Sequence, residues 1–353
     1  MVLSRVALSF FFVFALACGR TEPVRYSSDG GDDEEDFAAR KPDGGVDCID
    51  GELALIEARP VVMLVLDRSS SMNQNFPGTN DSKWEGLRTA LHQALPPWTS
   101  RIELGALFFP SIISNACNVG ASVDLAPTLE GVPAILTRLD AVSPGGSTPT
   151  ALALDRAAQS LSGRRTAGSA RAVVLATDGA PDCNAALNPR TCACVSSSGA
   201  CSANRCLDDV RTIDRLSTMA ASGLPTWIIG LRGESDALFV SVLDRMADAG
   251  GRPLTFSTHR FYSASSELQV ELALTTIRQQ VGRCRYLTPS VPDLGGAIEV
   301  QLAGDVIPRD ATGTEGWSWA DADNGELALH GQACERAEAL TIEALRVIVR
   351  CAP

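Results

Sequence analysis

Histidine and positive charge are what this sequence has least of. Its 353 residues hold three histidines, His92, His259 and His330, widely scattered. None stands near a strand end in the main domain with an evident acid partner, so a histidine zinc site or a Ser–His relay is not legible. Lysine and arginine total 30 against 42 aspartates and glutamates, for a net charge of -12 and a pI near 4.8. That balance excludes a basic face for nucleic acid or for an anionic membrane. A bilayer-length apolar run is missing too: the N-terminal stretch Val6–Ala17 is too short to span comfortably.

That stretch instead reads as a secretory signal over residues 1–17. Arg5 precedes the apolar core, and the small residues Ala15 and Ala17 lead up to Cys18. Cleavage has two readings: an ordinary site at Ala15-Leu16-Ala17, or Leu16-Ala17-Cys18-Gly19, which resembles a bacterial lipobox with its Leu one place closer to Cys than preferred. Eleven cysteines less Cys18 leave ten, an even set that suits disulfides in an exported chain and gives Cys18 a separate job as the lipidated residue. The expected location is the cell envelope, lipid-anchored, with the outer membrane favoured because Gly19 is not the Asp that typically retains lipoproteins at the inner membrane. Free secretion is the alternative. Residues 18–47, with Asp29–Asp36 and Asp43–Gly45, form an acidic, self-repelling tether.

From Ile56 onward strands alternate with amphipathic helices. Val61–Leu66, Ile102–Phe109, Arg171–Thr177 and Pro225–Leu231 are apolar enough to be strands buried on both faces. Between them lie helical stripes: Trp84, Leu87, Leu91 and Leu95, closed by Pro96-Pro97; Pro133–Leu139; Ala151, Leu154, Ala158 and Leu161; Leu238, Val242 and Met246; and Val270, Leu274, Ile277 and Val281. This pattern predicts an α/β fold, a doubly wound, mainly parallel, Rossmann-like sheet spanning residues 48–283.

A Cys-rich insertion, residues 183–206, has no periodicity. Its cysteine spacings do not make zinc knuckles, so disulfide stapling is expected, with an odd cysteine bonded outside and Cys117 the candidate. Residues 284–353 change to a period of two (Ile298, Val300, Leu302; Leu345, Val347, Val349), with Gly295-Gly296, Gly304-Asp305 and Asn324-Gly325 as turns. They are read as a small C-terminal antiparallel β module. One of Cys284, Cys334 and Cys351 is expected to reach Cys48.

Three segments carry the chemistry. The first apolar strand ends at Asp67-Arg68-Ser69-Ser70-Ser71, a Gly-rich turn Gly145–Thr150 opens a helix, and a second apolar strand ends at Thr177-Asp178-Gly179. In a parallel sheet such strand exits meet at the carboxyl edge. Each alone is bland: Asp67 could cap a helix, Thr177-Asp178-Gly179 could be a turn, and the Gly-rich turn lacks the Gly-Lys-Ser/Thr ending of a phosphate loop. Together, in this order, they resemble the metal-ion-dependent adhesion site of von Willebrand factor type A (VWA) domains, over about Ile56 to Arg283. The resemblance implies that Ser69, Ser71 and Thr148 are direct hydroxyl ligands of a divalent cation, while Asp67 and Asp178 act largely through bound water.

Three neutral hydroxyls and two carboxylates suit Mg2+ better than Ca2+, which takes more carboxylates and carbonyls; Mn2+ and Ca2+ are the other occupants considered. One coordination place is left for an Asp or Glu carboxylate of a partner protein. The expected function is therefore cation-dependent docking of an unidentified protein, without catalysis and with the membrane reached only through the anchor at Cys18. A metal-dependent hydrolase or phosphatase with Asp67 as nucleophile is the alternative, disfavoured because Ser69 stands where a second acid would be the proton donor. A purely structural envelope protein is the third reading.

Overall fold

A computed structural model describes residues 51–99, 102–111, 117–162, 170–195, 201–231, 237–281, 284–288, 297–322 and 325–350. The expected signal sequence and tether, with Cys18, Cys48 and Cys351, lie outside the described residues. Two short strands, β1 (Gly51–Leu53) and β2 (Ile56–Glu57), precede β3 (Val61–Asp67). Then follow α1 (Lys83–Ala94), β4 (Glu103–Phe109), β5 (Leu125–Thr128), α2 (Gly131–Ala141), α3 (Thr150–Ser162) and β6 (Arg171–Thr177). The α/β part continues with α4 (Asp209–Ala221), β7 (Thr226–Gly230), α5 (Ala237–Ala249), β8 (Tyr262–Ser263) and α6 (Glu267–Gln280).

Six strands make one sheet in the order β5-β4-β3-β6-β7-β8, parallel except where β5 runs against β4. β3 lies inside it, paired on one side with β4 and on the other with β6. Successive side chains of a strand point to opposite faces. Val62, Leu64 and Leu66 accordingly pack with α1, α2 and α6 through Leu87, Leu91, Ile135 and Leu274. Val61, Met63 and Val65 pack on the other face with α3, α4 and α5 through Leu154, Leu216 and Leu243. Both faces are covered, which is why β3 has no polar residue before Asp67. Each such buried aliphatic side chain contributes roughly 1.5–3 kcal/mol.

Helix α1 begins at Ser82, whose hydroxyl accepts the Glu85 N–H at 3.1 Å, and Pro96 follows its end. The expected helices are all present, and two more were not foreseen. One is α4, whose exposed polar face leaves only Thr212, Leu216 and Met219 buried, too sparse a stripe to read in DDVRTIDRLSTMAA. The other is α7 (Gly331–Glu338), in the C-terminal part. β5 is an edge strand and tolerates Pro127 for that reason.

The C-terminal part adds β9 (Arg285–Leu287), β10 (Ala297–Leu302), β11 (Asp305–Ile307), β12 (Gly316–Asp321), β13 (Glu326–His330) and β14 (Leu345–Arg350). These form two antiparallel sheets, β1-β14-β10-β11 and β12-β13-β9-β2, around Val300, Val347, Trp317 and Leu327. β1 and β2 thus pair with the tail, although the sequence reading set them in the domain starting at residue 48. They are too short, and at Gly51, Glu52 and Ile56 too exposed, to reveal their partners by pattern. The β10–β11 turn is Ala303-Gly304, both at positive φ, one residue before the expected pair. Among the described residues no helix is long and apolar enough to cross a membrane.

Candidate metal centre

The ends of β3 and β6 lie side by side, so the first and third segments meet directly. Asp67 is fully buried. Its Oδ1 accepts the Ser69 N–H at 2.7 Å, turning the chain sharply at the strand end, and its Oδ2 accepts the Thr177 hydroxyl at 2.6 Å. A 3-10 turn at Ser70–Asn73 then buries Met72 and aims Ser71 back at the sheet. The Ser71 hydroxyl donates to Asp178 Oδ1 at 2.7 Å, and the Ser69 and Ser71 hydroxyl oxygens stand 3.0 Å apart.

Backbone bonds dock the second segment onto the first. Both the N–H and the hydroxyl of Ser70 donate to the Gly146 carbonyl at 3.0 Å, and the Gly145 N–H donates to the Arg68 carbonyl at 2.7 Å. Gly146 sits at φ +87°, the left-handed region that favours glycine. Thr148 is buried, and its hydroxyl oxygen lies 4.0 Å from the β-carbon position of Gly179. Among the described residues that hydroxyl has no hydrogen-bond partner, although its backbone is held at both ends. The Thr148 N–H donates to Asp182 Oδ1 at 2.6 Å, and the Asp182 N–H donates to the Thr148 carbonyl at 3.1 Å.

A cleft of about 520 Å³ opens above these groups. Ser69, Ser71, Thr148 and Asp178 line it, and Asp67 supports them from beneath. Asn204 and Arg205 of the Cys-rich insertion form part of the wall. All five expected ligand residues are thus gathered at one place; Cys18 lies outside the described residues.

The donor set fits a hard divalent cation. Magnesium–oxygen bonds of 2.0–2.1 Å in an octahedron put neighbouring oxygens about 3 Å apart, the spacing of the two serine hydroxyls. Ser71 spends its proton on Asp178, which leaves its oxygen lone pairs to face the cleft. Burial pushes the Asp67 carboxyl up to about 7, the charge of Asp178 adding to the effect while the Thr177 and Ser69 bonds oppose it. A cation beside this pair would remove that penalty.

Two residues at the site escaped the sequence reading. Lys83, buried at the start of α1, donates from Nζ to Asp178 Oδ2 at 2.6 Å and to Gln74 Oε1 at 3.3 Å. Its only sequence signal is a cation at a helix N-terminus, where the macrodipole disfavours one. Asp182 carried no signal, since it stands at the edge of the aperiodic insertion. Burial raises its carboxyl to about 7, against the Thr148 N–H bond that lowers it.

The insertion is cross-linked by Cys192–Cys206 and Cys194–Cys201, and Cys183 bonds to Cys117 outside it, as parity required. The short distances within the Cys192, Cys201 and Cys206 group belong to these bonds. Cys284 bonds to Cys334, so neither reaches Cys48.

No protein-family model matches the sequence, and no curated protein matches it. Among solved structures the chain is similar to BatB from Bacteroides thetaiotaomicron, at 14% identity and a TM-score of 0.42, over 63% of this chain and 98% of that one. It is similar to the manganese-loaded TRAP protein of Plasmodium vivax at 13% identity and a TM-score of 0.43, over 77% and 90% of the two chains. Proximal thread matrix protein 1 of the mussel byssus, with a zinc-occupied MIDAS motif, is similar at 15% identity and a TM-score of 0.36, over 64% and 48%. The chain spans about half the length of that mussel protein. The α/β domain has the mainly parallel sheet that the sequence pattern predicts, and the three segments meet at its carboxyl edge.

Proposed function

We propose that this is an exported binding protein whose cleft takes up a divalent cation and presents it to a carboxylate of a partner protein. Ser69, Ser71 and Thr148 supply direct oxygens, and Asp67 and Asp178 act through water. The observation that carries this reading is the pair of hydrogen bonds Asp67–Thr177 and Ser71–Asp178, with Thr148 lining the same cleft. With so few carboxylates, Mg2+ is the favoured ion and Mn2+ or Ca2+ the alternatives.

Burial supports binding over catalysis. Both oxygens of Asp67 are already engaged and its side chain has no exposed surface, a poor setting for a nucleophile. Four disulfides among the described residues support an oxidising, extracytoplasmic location. Lipidation at Cys18 would then hold the domain to the envelope by the tether of residues 18–47, with the outer membrane favoured over the inner.

The test is a pull-down of envelope and matrix proteins with the soluble protein beginning near Val46. Captured protein should be lost with a chelator and regained with Mg2+. Capture indifferent to both, together with no Mg2+ binding by calorimetry, would sink the reading. Phosphoester turnover that depends on Asp67 would favour the hydrolase instead.

A further inference from the structure

Of the 30 basic residues of this chain only two are lysines, Lys41 and Lys83; the other 28 are arginines. Lys83 is the lysine among the described residues, and it is buried against Asp178, with side-chain exposures of 3% and 0% for the pair. It occupies the first position of α1, where the helix dipole opposes a cation, so local helix energetics do not explain it. What it finds there is carboxylate: Nζ meets Asp178 Oδ2 at 2.6 Å, while Oδ1 of the same group takes the Ser71 hydroxyl. Arginine, with its broad planar fork, would not supply the compact point charge this position uses.

We propose that Lys83 is the resident counter-cation of the cleft, a positioning residue that holds Asp178 in place before metal arrives and keeps the site's intrinsic metal affinity low. The inference rests on the cation-binding reading above. Its ground is electrostatic. Once the cation relieves the burial penalty on Asp67, the two expected ligand carboxylates, Asp67 and Asp178, bring two negative charges, and the buried ammonium returns one positive charge on the far oxygen of Asp178. A divalent cation entering between the hydroxyls therefore meets net attraction from one charge instead of two, at short range and away from solvent screening. The loaded site is left with a surplus positive charge, which a partner's carboxylate would balance. Lys83 thus couples metal retention to ligand arrival.

The test compares wild type with Lys83→Gln and Lys83→Met in Mn2+ titrations by calorimetry and in thermal melts with and without Mn2+. Lys83→Gln keeps a hydrogen-bond donor near Asp178 and drops the charge; Lys83→Met drops both. Both variants should bind Mn2+ at least about tenfold more tightly, and both should melt lower than wild type when metal-free and gain more from added Mn2+. Variants that bind Mn2+ no more tightly than a wild type that does bind it would overturn the inference and leave the metal site standing. No Mn2+ binding by any of the three proteins would overturn the metal reading and this inference with it.

Discussion

Ser71 and Asp178, 107 residues apart, are joined by a 2.7 Å hydrogen bond in which the serine hydroxyl is the donor. The bond fixes the direction of the serine lone pairs and the place of the carboxylate at once. Asp178→Ala removes that acceptor, one of the two expected ligand carboxylates, and leaves the Lys83 ammonium buried without its carboxylate. Ser70→Ala loses only a hydroxyl whose acceptor, the Gly146 carbonyl, is still held by the Ser70 N–H. Calorimetric Mg2+ affinity should fall by about 10–100-fold in the first variant, the usual cost of losing a group that orients metal ligands, and stay near wild type in the second. Equal affinities would count against the assignment of these residues.

Asp182 makes a related prediction about the second segment. Its carboxylate and its own N–H clamp the backbone of Thr148 from both sides. Asp182→Ala cuts one arm of the clamp and frees the loop that carries the Thr148 hydroxyl, so metal affinity should drop. Asp182→Asn retains an acceptor oxygen and should fall between the alanine variant and wild type. An Asn variant as weak as the alanine variant would mean that charge, not loop position, is what Asp182 contributes.

Cys183, the next residue, ties this region to Cys117 across a sequence separation of 66. On loop-closure entropy such a cross-link stabilises by about 4 kcal/mol relative to the open chain. The double variant Cys117→Ser, Cys183→Ser should therefore lose stability of that order in urea titration. A loss under about 1 kcal/mol would mean the unfolded chain is not the state this bond constrains.

The parts of this fold that are plain in the sequence are those where one force dominates. Val61–Leu66 reads as a buried strand because both faces of the sheet are covered, and the polar residues Asp67, Ser69 and Ser71 begin where that cover ends. The meeting of Thr148 with Asp178 was legible only through the family resemblance joined to strand topology. Lys83 and Asp182 were not legible, since each acts through a contact set by the tertiary fold. The pairing of β1 and β2 with β14 and β9 was not legible for the same reason: those partners lie at the other end of the chain.

Elimination among the cysteines yields a further expectation. With Cys18 set aside, eight of the remaining ten are bonded to one another, which leaves Cys48 and Cys351. Both lie outside the described residues, yet the strands leading to them run antiparallel with Gly51 opposite Val349. A peptide map of the non-reduced protein should contain a fragment linking Cys48 to Cys351. Free thiol at either position would refute the pairing.

His330 gives the C-terminal module a dependence on pH. Its Nε2 shares a 2.8 Å hydrogen bond with the Ser318 hydroxyl, and partial burial, with Arg285 adding its charge, holds the imidazole below its ordinary value of 6.5; Asp310 and Glu315 oppose this. The folded state therefore binds fewer protons than the unfolded chain in the interval below 6.5. Stability from this group is fully present above that value and is lost as pH falls toward the folded value. The urea midpoint of the module should be lower at pH 5.5 than at pH 7.5, and His330→Gln, which has no proton to gain, should show a smaller drop. A drop of equal size in the variant would clear His330 of the acid sensitivity; Asp310, whose carboxylate is held well below the usual range by hydrogen bonds from Thr312, Thr314 and Glu315, is ionised in both states at these pH values and loses its contribution only in stronger acid.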